Sequence, residues 1–266
     1  MKTIKVGNLE YITAPIIGAP HCFTTRFGGV STEPHLSSMN IGTHRGDKWE
    51  NVLKNYDILG KAVGFEPKNL VLTHQTHTDI VVHADQSLRG AGLYGPELSD
   101  CDGLVTCTPG MGLVVFSADC TPIIAYDPVT GAVGAAHAGW RGTAANIAGK
   151  LIKAMTEHFG TEPQNVCAAI GPNIHQCCFQ TDWDVPQAML DAVGPEAEQF
   201  IEKRGEKYYV NLTAVNALFL KRAGVKEIDC SEDCTCCQPH RFWSHRQVGN
   251  HRGSQGAIIV CPGRGE

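Results

Sequence analysis

The sequence predicts a mixed α+β fold that forms a single domain over residues 1–266. Short apolar segments of β-strand composition alternate with amphipathic segments of helical periodicity, without the regular spacing of repeated βαβ units. Several consecutive strand segments lie close enough in sequence to form hairpins. Neither an internal repeat nor a linker divides the chain, so one domain accounts for its length.

The individual elements follow from local patterns. Apolar and β-branched runs predict strands, and apolar residues that recur every three or four positions predict helices. The predicted strands cover residues 4–6, 11–13, 22–25, 70–73, 80–83, 104–106, 112–117, 123–126, 133–136, 166–170, 208–210, 228–230 and 257–261. The predicted helices cover residues 49–63, 143–158, 184–193 and 213–223. The Gly-rich segment 86–96 has little apolar content and is expected to form an exposed loop.

Composition limits the functional classes. The net charge of −5 and the pI near 6.2 argue against binding to nucleic acids or anionic membranes. No stretch approaches the ~18 consecutive apolar residues of a membrane span, and residues 1–15 lack the apolar core of a signal peptide. We therefore expect a cytoplasmic protein without nucleic-acid or membrane partners. Its 12 cysteines are expected to be mostly reduced thiols or metal ligands.

The segment 117–143 carries the clearest chemical signal. Its pattern predicts two strands joined by a tight turn at Asp127-Pro128 and Gly131, because Pro fixes φ and Gly tolerates positive φ. Cys120 stands just before the first strand and His137 just after the second. Because a hairpin brings its two ends together, we expect this thiol and this imidazole to be neighbours in space.

Three kinds of chemistry are compatible with this pair. With His77, which follows the strand predicted at 70–73, Cys120 and His137 would form the three-ligand set of a catalytic zinc site. Alternatively, Cys120 is a nucleophile and His137 its base, with Asp119 as a carboxylate that orients an imidazole. Copper oxidase chemistry is disfavoured, because multicopper centres draw on His-x-His pairs and the sequence contains none.

Two groups of basic residues are potential anion sites. The polar segment 22–47 is long for a loop inside a compact domain unless it is functional, and Arg26 and Arg45 in it have guanidinium groups suited to phosphate. A second group, between residues 240 and 252, contains Arg252 among histidines and arginines. In both groups, solvated surface side chains are the alternative interpretation.

Two further cysteine-rich segments contain Cys177 and Cys178, and Cys234, Cys236 and Cys237. A structural zinc site is one interpretation of them, and reduced, partly buried thiols are the interpretation we favour. Cys234 and Cys237 have C-x-x-C spacing, but no second pair of that spacing accompanies them. The adjacent Cys177 and Cys178 are far away in sequence.

Several motifs, taken in order, resemble one family over about residues 20–260. The motifs are TRFGGVS (25–31) with NIG (40–42), THQTHTD (73–79), DCDGLVT (100–106), SADCTPI (117–123), AAHAGWRG (135–142), AIGPNIHQCCF (169–179) and CT…FWSHR (234–246). They are similar to those of the laccase-domain family, also called the polyphenol-oxidase-like or peptidoglycan-editing-factor family. Members of that family act as purine nucleoside phosphorylases.

This resemblance implies layered sheets flanked by helices in an α-β-β-α arrangement, together with one zinc ion. It implies phosphorolysis of adenosine, inosine and methylthioadenosine, with adenosine deaminase as a side activity. The metal ligands of the family fall on His77, Cys120 and His137. The expected partners are purine nucleosides and phosphate, and we expect a monomer or a homodimer.

Further roles follow as hypotheses from this reaction. We expect Arg141 to be a catalytic residue that holds phosphate, since it follows the segment of a metal ligand, with Arg26 and Arg45 also in the substrate site. Asp119 and Asp102 are the expected carboxylates for proton transfer, with Asp102 close to the substrate. The alternatives are a copper-dependent polyphenol oxidase and a non-catalytic regulatory protein that binds zinc.

Overall fold

The computed structural model describes residues 1–263 and contains two six-stranded sheets packed against each other. Helices cover the outer face of each sheet, so the layers follow the order helix, sheet, sheet, helix. This arrangement confirms the predicted α+β class and the α-β-β-α layering. The assignment of all 266 residues to one domain stays a prediction, and its last three residues lie outside the described part of the chain.

The strands and helices have the following bounds. The strands are β1 (Lys2–Val6), β2 (Leu9–Thr13), β3 (His21–Thr24), β4 (Leu70–Leu72), β5 (Val81–His83), β6 (Gly103–Thr106), β7 (Gly112–Ser117), β8 (Thr121–Tyr126), β9 (Val133–Ala138), β10 (Cys167–Ile170), β11 (Gln180–Thr181), β12 (Ile201–Arg204), β13 (Lys207–Val210), β14 (Glu227–Cys230) and β15 (Gln255–Val260). The α-helices are α1 (Trp49–Val63), α2 (Trp140–Ala144), α3 (Ile147–Phe159), α4 (Asp184–Val193), α5 (Leu212–Arg222) and α6 (His245–Val248). Within residues 1–263, no helix is both long and apolar enough to cross a membrane.

Each of the two large sheets has six strands, most of which run antiparallel to their neighbours. The first sheet has the order β1-β2-β3-β15-β7-β4 and the second the order β14-β10-β8-β9-β6-β5. Neighbouring strands are antiparallel except at the β4–β7, β5–β6 and β10–β14 pairs. The last strand, β15, lies inside the first sheet between β3 and β7. The C-terminal part of the chain is therefore built into the centre of the fold.

The alternation of side-chain direction along single strands explains why each sheet packs against the other sheet on one face and against helices on the other. Side chains of successive strand residues point to opposite faces of a sheet. In β7, Val115 belongs to the apolar core between the sheets, whereas Val114 packs in the core under α1. In β8, Ile124 faces the core between the sheets and Ile123 faces α3 and α5. Both sheets are thus apolar on both faces, which requires a helical layer on each outer side.

The hairpin predicted within residues 117–143 is confirmed as β8 and β9. Gly131 in the turn has φ +75°, a conformation that glycine adopts without strain. Pro122 of β8 pairs with His137 of β9. Cys120, two residues before Pro122, therefore lies at the same end of the hairpin as His137.

Two predictions about local structure were wrong in part. The helix predicted at 143–158 begins later, because Asn146 adopts φ +58° and its side chain accepts a hydrogen bond from the N–H of Gly149, which caps α3. The predicted exposed loop at 86–96 is buried in its middle. Ala91 and Leu93 are shielded from solvent, and Leu72 donates a 3.0 Å hydrogen bond to the carbonyl of Ala91.

Candidate metal site and substrate cavity

Three side chains predicted as metal ligands converge at one end of the β8–β9 hairpin. The Nε2 atom of His77 lies 3.9 Å from the Sγ atom of Cys120, and the rings of His77 and His137 meet edge to face at 5.0 Å. One ligand atom from each residue lies within 4.8 Å of the other two. A single ion between them can therefore reach all three.

Different elements deliver the three ligands. His137 is buried in β9, and Cys120 is half-buried immediately before β8. His77 lies in the connection between β4 and β5, has φ +64°, and exposes its side chain to solvent. The site thus combines one fixed imidazole from a strand with one imidazole from a loop that is open to solvent.

The carboxylate of Asp102 lies behind the ligands and contacts both His137 and the loop that carries His77. Its side chain is completely buried, and its Oδ1 atom lies 2.7 Å from Nδ1 of His137. The same carboxylate accepts hydrogen bonds from the backbone N–H groups of Thr76, His77 and Thr78, and from the hydroxyl of Thr78. It therefore fixes the ring of one ligand and the loop that carries another.

The structure does not bring Asp102, predicted near the substrate, to the surface of the cavity described below. A fully buried carboxylate cannot contact a substrate, and its oxygens are already occupied by protein donors. Burial would raise the pKa of Asp102, but the hydrogen bond and charge of His137 lower it below its usual value. Asp102 is a positioning residue.

The charges in the site favour a thiolate ligand. Burial would raise the pKa of the Cys120 thiol, but His137 and then His77 lower this pKa to about 6. Burial would lower the pKa of His137, but Cys120 and Asp102 raise it to about 9. At neutral pH Cys120 is therefore an anion, which is the form that binds metals.

The space between the ligands fits a metal ion. A Cβ atom built on Gly139 would lie 2.8 Å from Cδ2 of His77 and 3.4 Å from Sγ of Cys120. Glycine at this position keeps the backbone close to the site without filling it. Two imidazoles and one thiolate are the donor set of an open zinc site, in which a fourth position stays available for water or substrate.

A cavity of about 270 Å³ opens beside these ligands. Its size is near the lower end of the ~300–1,000 Å³ range that is typical of small-molecule sites. Residues from six parts of the chain line it, including His44, His74, Glu97 and Phe116 in addition to the three ligands. Glu97 lies 2.6 Å from Nε2 of His44, and Asp100 lies 3.0 Å from Nδ1 of His74.

Two arginines line the same cavity. The Nε group of Arg45 donates to the hydroxyl of Ser254 at 3.2 Å, and both Arg45 and Arg252 line the cavity. Arg252 is 9% exposed, and its buried Nε group has no hydrogen-bond partner within the described residues. Burial and then the positive charge of Arg45 lower the pKa of Arg252 to about 10, so it stays cationic at neutral pH. A half-buried cation beside a buried one that has an unused donor forms a site suited to an anion.

Asp119 does not face the cavity. Its backbone has φ +94°, and its buried carboxylate accepts hydrogen bonds from Thr235, from Ser244 and from the backbone N–H of Arg246, at 2.6, 3.0 and 2.6 Å. The structure therefore does not bring Asp119, predicted for proton transfer, to the cavity, and its carboxylate is occupied by protein donors. Asp119 ties the C-terminal segment to the residue before Cys120.

The structure also separates Arg26 and Arg141 from the cavity. Arg26 donates to the carbonyls of Ser37 and Pro239 and stacks on Trp243 at 3.9 Å. Arg141 is exposed on α2 and stacks on Trp140 at 4.1 Å. Of the three arginines predicted to bind substrate or phosphate, the structure thus brings only Arg45 to the cavity.

Sequence patterns gave no clear signal for the other cavity residues. Arg252 was one of several basic residues in a segment whose role stayed open, and neither Glu97 nor Phe116 belongs to a recognisable motif. Arg252 reaches the cavity because it lies three residues before the start of β15 at Gln255, which pairs with Ser117 at the end of β7. That proximity depends on sheet order, which local patterns do not reveal.

Comparisons with known proteins agree over nearly the whole chain. A family model described as "Multi-copper polyphenol oxidoreductase laccase" matches residues 20–262. The chain is 35% identical over 265 residues to the purine nucleoside phosphorylase YlmD of Geobacillus stearothermophilus, covering 98% of this chain and 95% of that protein. It is 31% identical over 255 residues to adenosine deaminase RL5 from an unknown prokaryotic organism, covering 94% and 96%. The crystal structure of YlmD from Geobacillus stearothermophilus superposes with a TM-score of 0.90 at 33% identity, covering 98% of each chain.

The role of Asp102 leads to a first prediction. In the Asp102→Asn variant the metal affinity should fall roughly 10- to 100-fold, since carboxylates that orient a ligating imidazole have effects of this size. Competition with a chelator on the purified protein measures this affinity. The matched control is Asp100→Asn, which changes an exposed carboxylate two residues away that contacts His74. Equal affinities of Asp102→Asn and the unchanged protein would contradict the assignment.

Proposed function

Because this chain belongs to the multi-copper polyphenol oxidoreductase laccase family, and its relatives include proteins named purine nucleoside phosphorylase and adenosine deaminase, we propose that it is a nucleoside-processing enzyme. Its main reaction is the zinc-dependent phosphorolysis of purine nucleosides, namely adenosine, inosine and methylthioadenosine. Deamination of adenosine is a side activity. The observation that carries this proposal is the presence of a three-ligand metal site and of Arg45 and the buried Arg252 in one cavity.

His77, Cys120 and His137 hold the zinc ion in this proposal. Zinc supplies a Lewis acid that polarises an oxygen atom of the substrate or lowers the pKa of water. The protein keeps the site rigid through Asp102 on one side and open to the cavity on the side of His77.

Arg45 and Arg252 bind the phosphate. A phosphate oxygen accepts a hydrogen bond from the Nε group of Arg252, which otherwise has no partner within the described residues. The negative charge of phosphate also offsets the repulsion between the two guanidinium groups. Burial of Arg252 strengthens this interaction, because charges attract more strongly away from water. This anion site is the feature that separates phosphorolysis from simple hydrolysis.

The rest of the cavity receives the nucleoside. Phe116 offers an aromatic wall on which a purine base can stack, and His44, His74 and Glu97 offer polar groups for the ribose or the base. Glu97 is about half exposed and replaces Asp102 and Asp119 as the carboxylate closest to a bound substrate.

Phosphorolysis in this cavity requires little covalent participation by the protein. A phosphate oxygen attacks C1′ of the ribose while the bond between C1′ and the purine nitrogen breaks. The electron pair of that bond leaves with the purine, which takes up the proton that the phosphate loses, giving ribose 1-phosphate and the free base. Arg45 and Arg252 orient the attacking phosphate and neutralise its charge at the start of the reaction.

Deamination uses the same nucleoside position with water in place of phosphate. The water oxygen adds at C6 of adenosine, and the exocyclic nitrogen leaves as ammonia with the electron pair of the broken bond, giving inosine. The proposed proton carrier is Glu97, since it lines the cavity and is accessible. The relative named adenosine deaminase supports this side activity.

The description of the family raises the alternative of a copper oxidase. Multicopper chemistry needs several neighbouring, histidine-rich metal positions. Within residues 1–263 only two groups have metal-binding geometry, the three-ligand site and a group of four cysteines. The donor sets therefore favour zinc over copper. Action as one domain, in the cytoplasm, as a monomer or a homodimer and without nucleic-acid or membrane partners stays a prediction.

Product analysis tests the proposed reaction. Purified protein incubated with inosine or adenosine should release hypoxanthine or adenine only when phosphate is present, together with one ribose 1-phosphate per base. The His77→Ala variant should lose this activity, since it lacks one metal ligand. Base release that is independent of phosphate would contradict phosphorolysis, and a zinc-loaded protein without turnover would favour the non-catalytic alternative.

The phosphate site gives a separate kinetic prediction. In the Arg252→Gln variant the KM for phosphate should rise roughly 10- to 100-fold, because a hydrogen bond to a charged group contributes about 1.5–3 kcal/mol. Initial rates at varied phosphate and saturating inosine measure this effect. Arg222→Gln is the control, because Arg222, the last residue of α5, lies away from the cavity and pairs with Glu196. A rise with Arg141→Gln and none with Arg252→Gln would contradict the assignment.

A further inference from the structure

Four cysteine sulfurs lie together away from the substrate cavity. We call this group the sulfur cluster; it consists of Cys177, Cys178, Cys234 and Cys237. The sulfur of Cys177 lies 3.8 Å from that of Cys178, 3.8 Å from that of Cys234 and 3.6 Å from that of Cys237. The sulfurs of Cys178 and Cys237 are 3.4 Å apart, and all four lie within 4.8 Å of one another.

These separations match the edges of a tetrahedron around one metal ion. With a zinc–sulfur bond of about 2.3 Å, two sulfurs in tetrahedral coordination are about 3.8 Å apart. Disulfide sulfurs are bonded at about 2.05 Å, so the cluster contains no formed disulfide. Thiolates on different irons of an iron–sulfur cluster are held apart by the cluster itself. The spacing therefore fits one mononuclear ion with four thiolate ligands.

We propose that the sulfur cluster binds one structural zinc ion. This site is separate from the site of His77, Cys120 and His137, and it has a closed donor set without a position for substrate. It replaces the interpretation of these residues as independent reduced thiols. The sequence favoured that interpretation over a zinc site because only Cys234 and Cys237 have C-x-x-C spacing, whereas the fold brings the second pair from a segment more than 50 residues earlier.

The surroundings of the cluster suit a negatively charged metal–thiolate centre. The backbone N–H of His175 donates a 3.4 Å hydrogen bond to the sulfur of Cys234. Arg246 donates to the carbonyls of Cys178 and Gln180 at 2.8 and 2.9 Å, which places its positive charge beside the cluster. Ile174 packs against the cluster from the protein side. Donors to sulfur and a nearby cation stabilise the charge of four thiolates.

The position of the cluster also indicates what the ion does. It joins the segment after β10 to the segment 234–246, which carries Thr235, Ser244 and Arg246. These three residues hold the carboxylate of Asp119, which directly precedes Cys120. A zinc ion in the cluster therefore fixes the C-terminal segment that supports one ligand of the first metal site.

Counting metal ions on the full-length protein tests the proposal without reference to turnover. Protein purified under reducing conditions with zinc should contain two zinc ions per chain by elemental analysis. The double variant Cys234→Ser/Cys237→Ser should contain one, and so should Cys120→Ser, which loses the other ion. Combining the three substitutions should leave none. Because metal content is the readout, failure of the phosphorylase proposal would leave this result unaffected.

Cys236→Ser is the matched control, because Cys236 lies between two of the ligands but is not one of the four sulfurs. It should keep both ions. Cobalt bound to the Cys120→Ser variant should show the thiolate absorption of a four-sulfur site, and this signal does not depend on the folding of a cluster variant. Three results would overturn the proposal: equal zinc content in the unchanged chain and in the Cys234→Ser/Cys237→Ser variant, a Cys178–Cys237 disulfide in reduced protein, or iron in place of zinc.

Discussion

The hydrogen bond between the buried carboxylate of Asp102 and His137 is the interaction on which the site depends. A carboxylate without solvent contact is tolerated only when its oxygens have partners, and here His137 and the loop carrying His77 supply them. Removing one partner from a buried pair of this kind costs about 3–5 kcal/mol. The structure therefore couples the geometry of two metal ligands to the stability of the fold.

The third ligand, Cys120, is held in place through its neighbour Asp119 and not through Asp102. Cys120 follows Asp119, whose carboxylate binds the C-terminal segment, and the same segment continues to Arg252 and into β15 at the centre of the first sheet. One stretch of chain thus supports a metal ligand, supplies the buried arginine of the anion site and completes a sheet. The proposed zinc ion in the sulfur cluster would fix this stretch at its beginning.

Sequence patterns predicted what depends on neighbours along the chain. Helix α1 has the predicted bounds, and the hairpin that brings Cys120 to His137 follows from a Pro and Gly turn between two apolar runs. Residues whose roles depend on distant partners were not predictable in this way. Asp102 was expected near the substrate and is buried beneath the ligands. Arg141 was expected to hold phosphate because it follows the segment of a metal ligand, whereas Arg252 was one of several basic residues whose role stayed open. Their actual positions follow from sheet order and from contacts across more than 30 residues.

The most direct test of the account is anomalous diffraction at the zinc edge from crystals grown with zinc and phosphate. The account predicts a zinc peak about 2.0–2.1 Å from the imidazole nitrogens of His77 and His137 and about 2.3 Å from the sulfur of Cys120. Phosphate density should contact Arg45 and Arg252. A zinc-free triad, or copper bound there when both metals are supplied, would contradict the proposed zinc-dependent site.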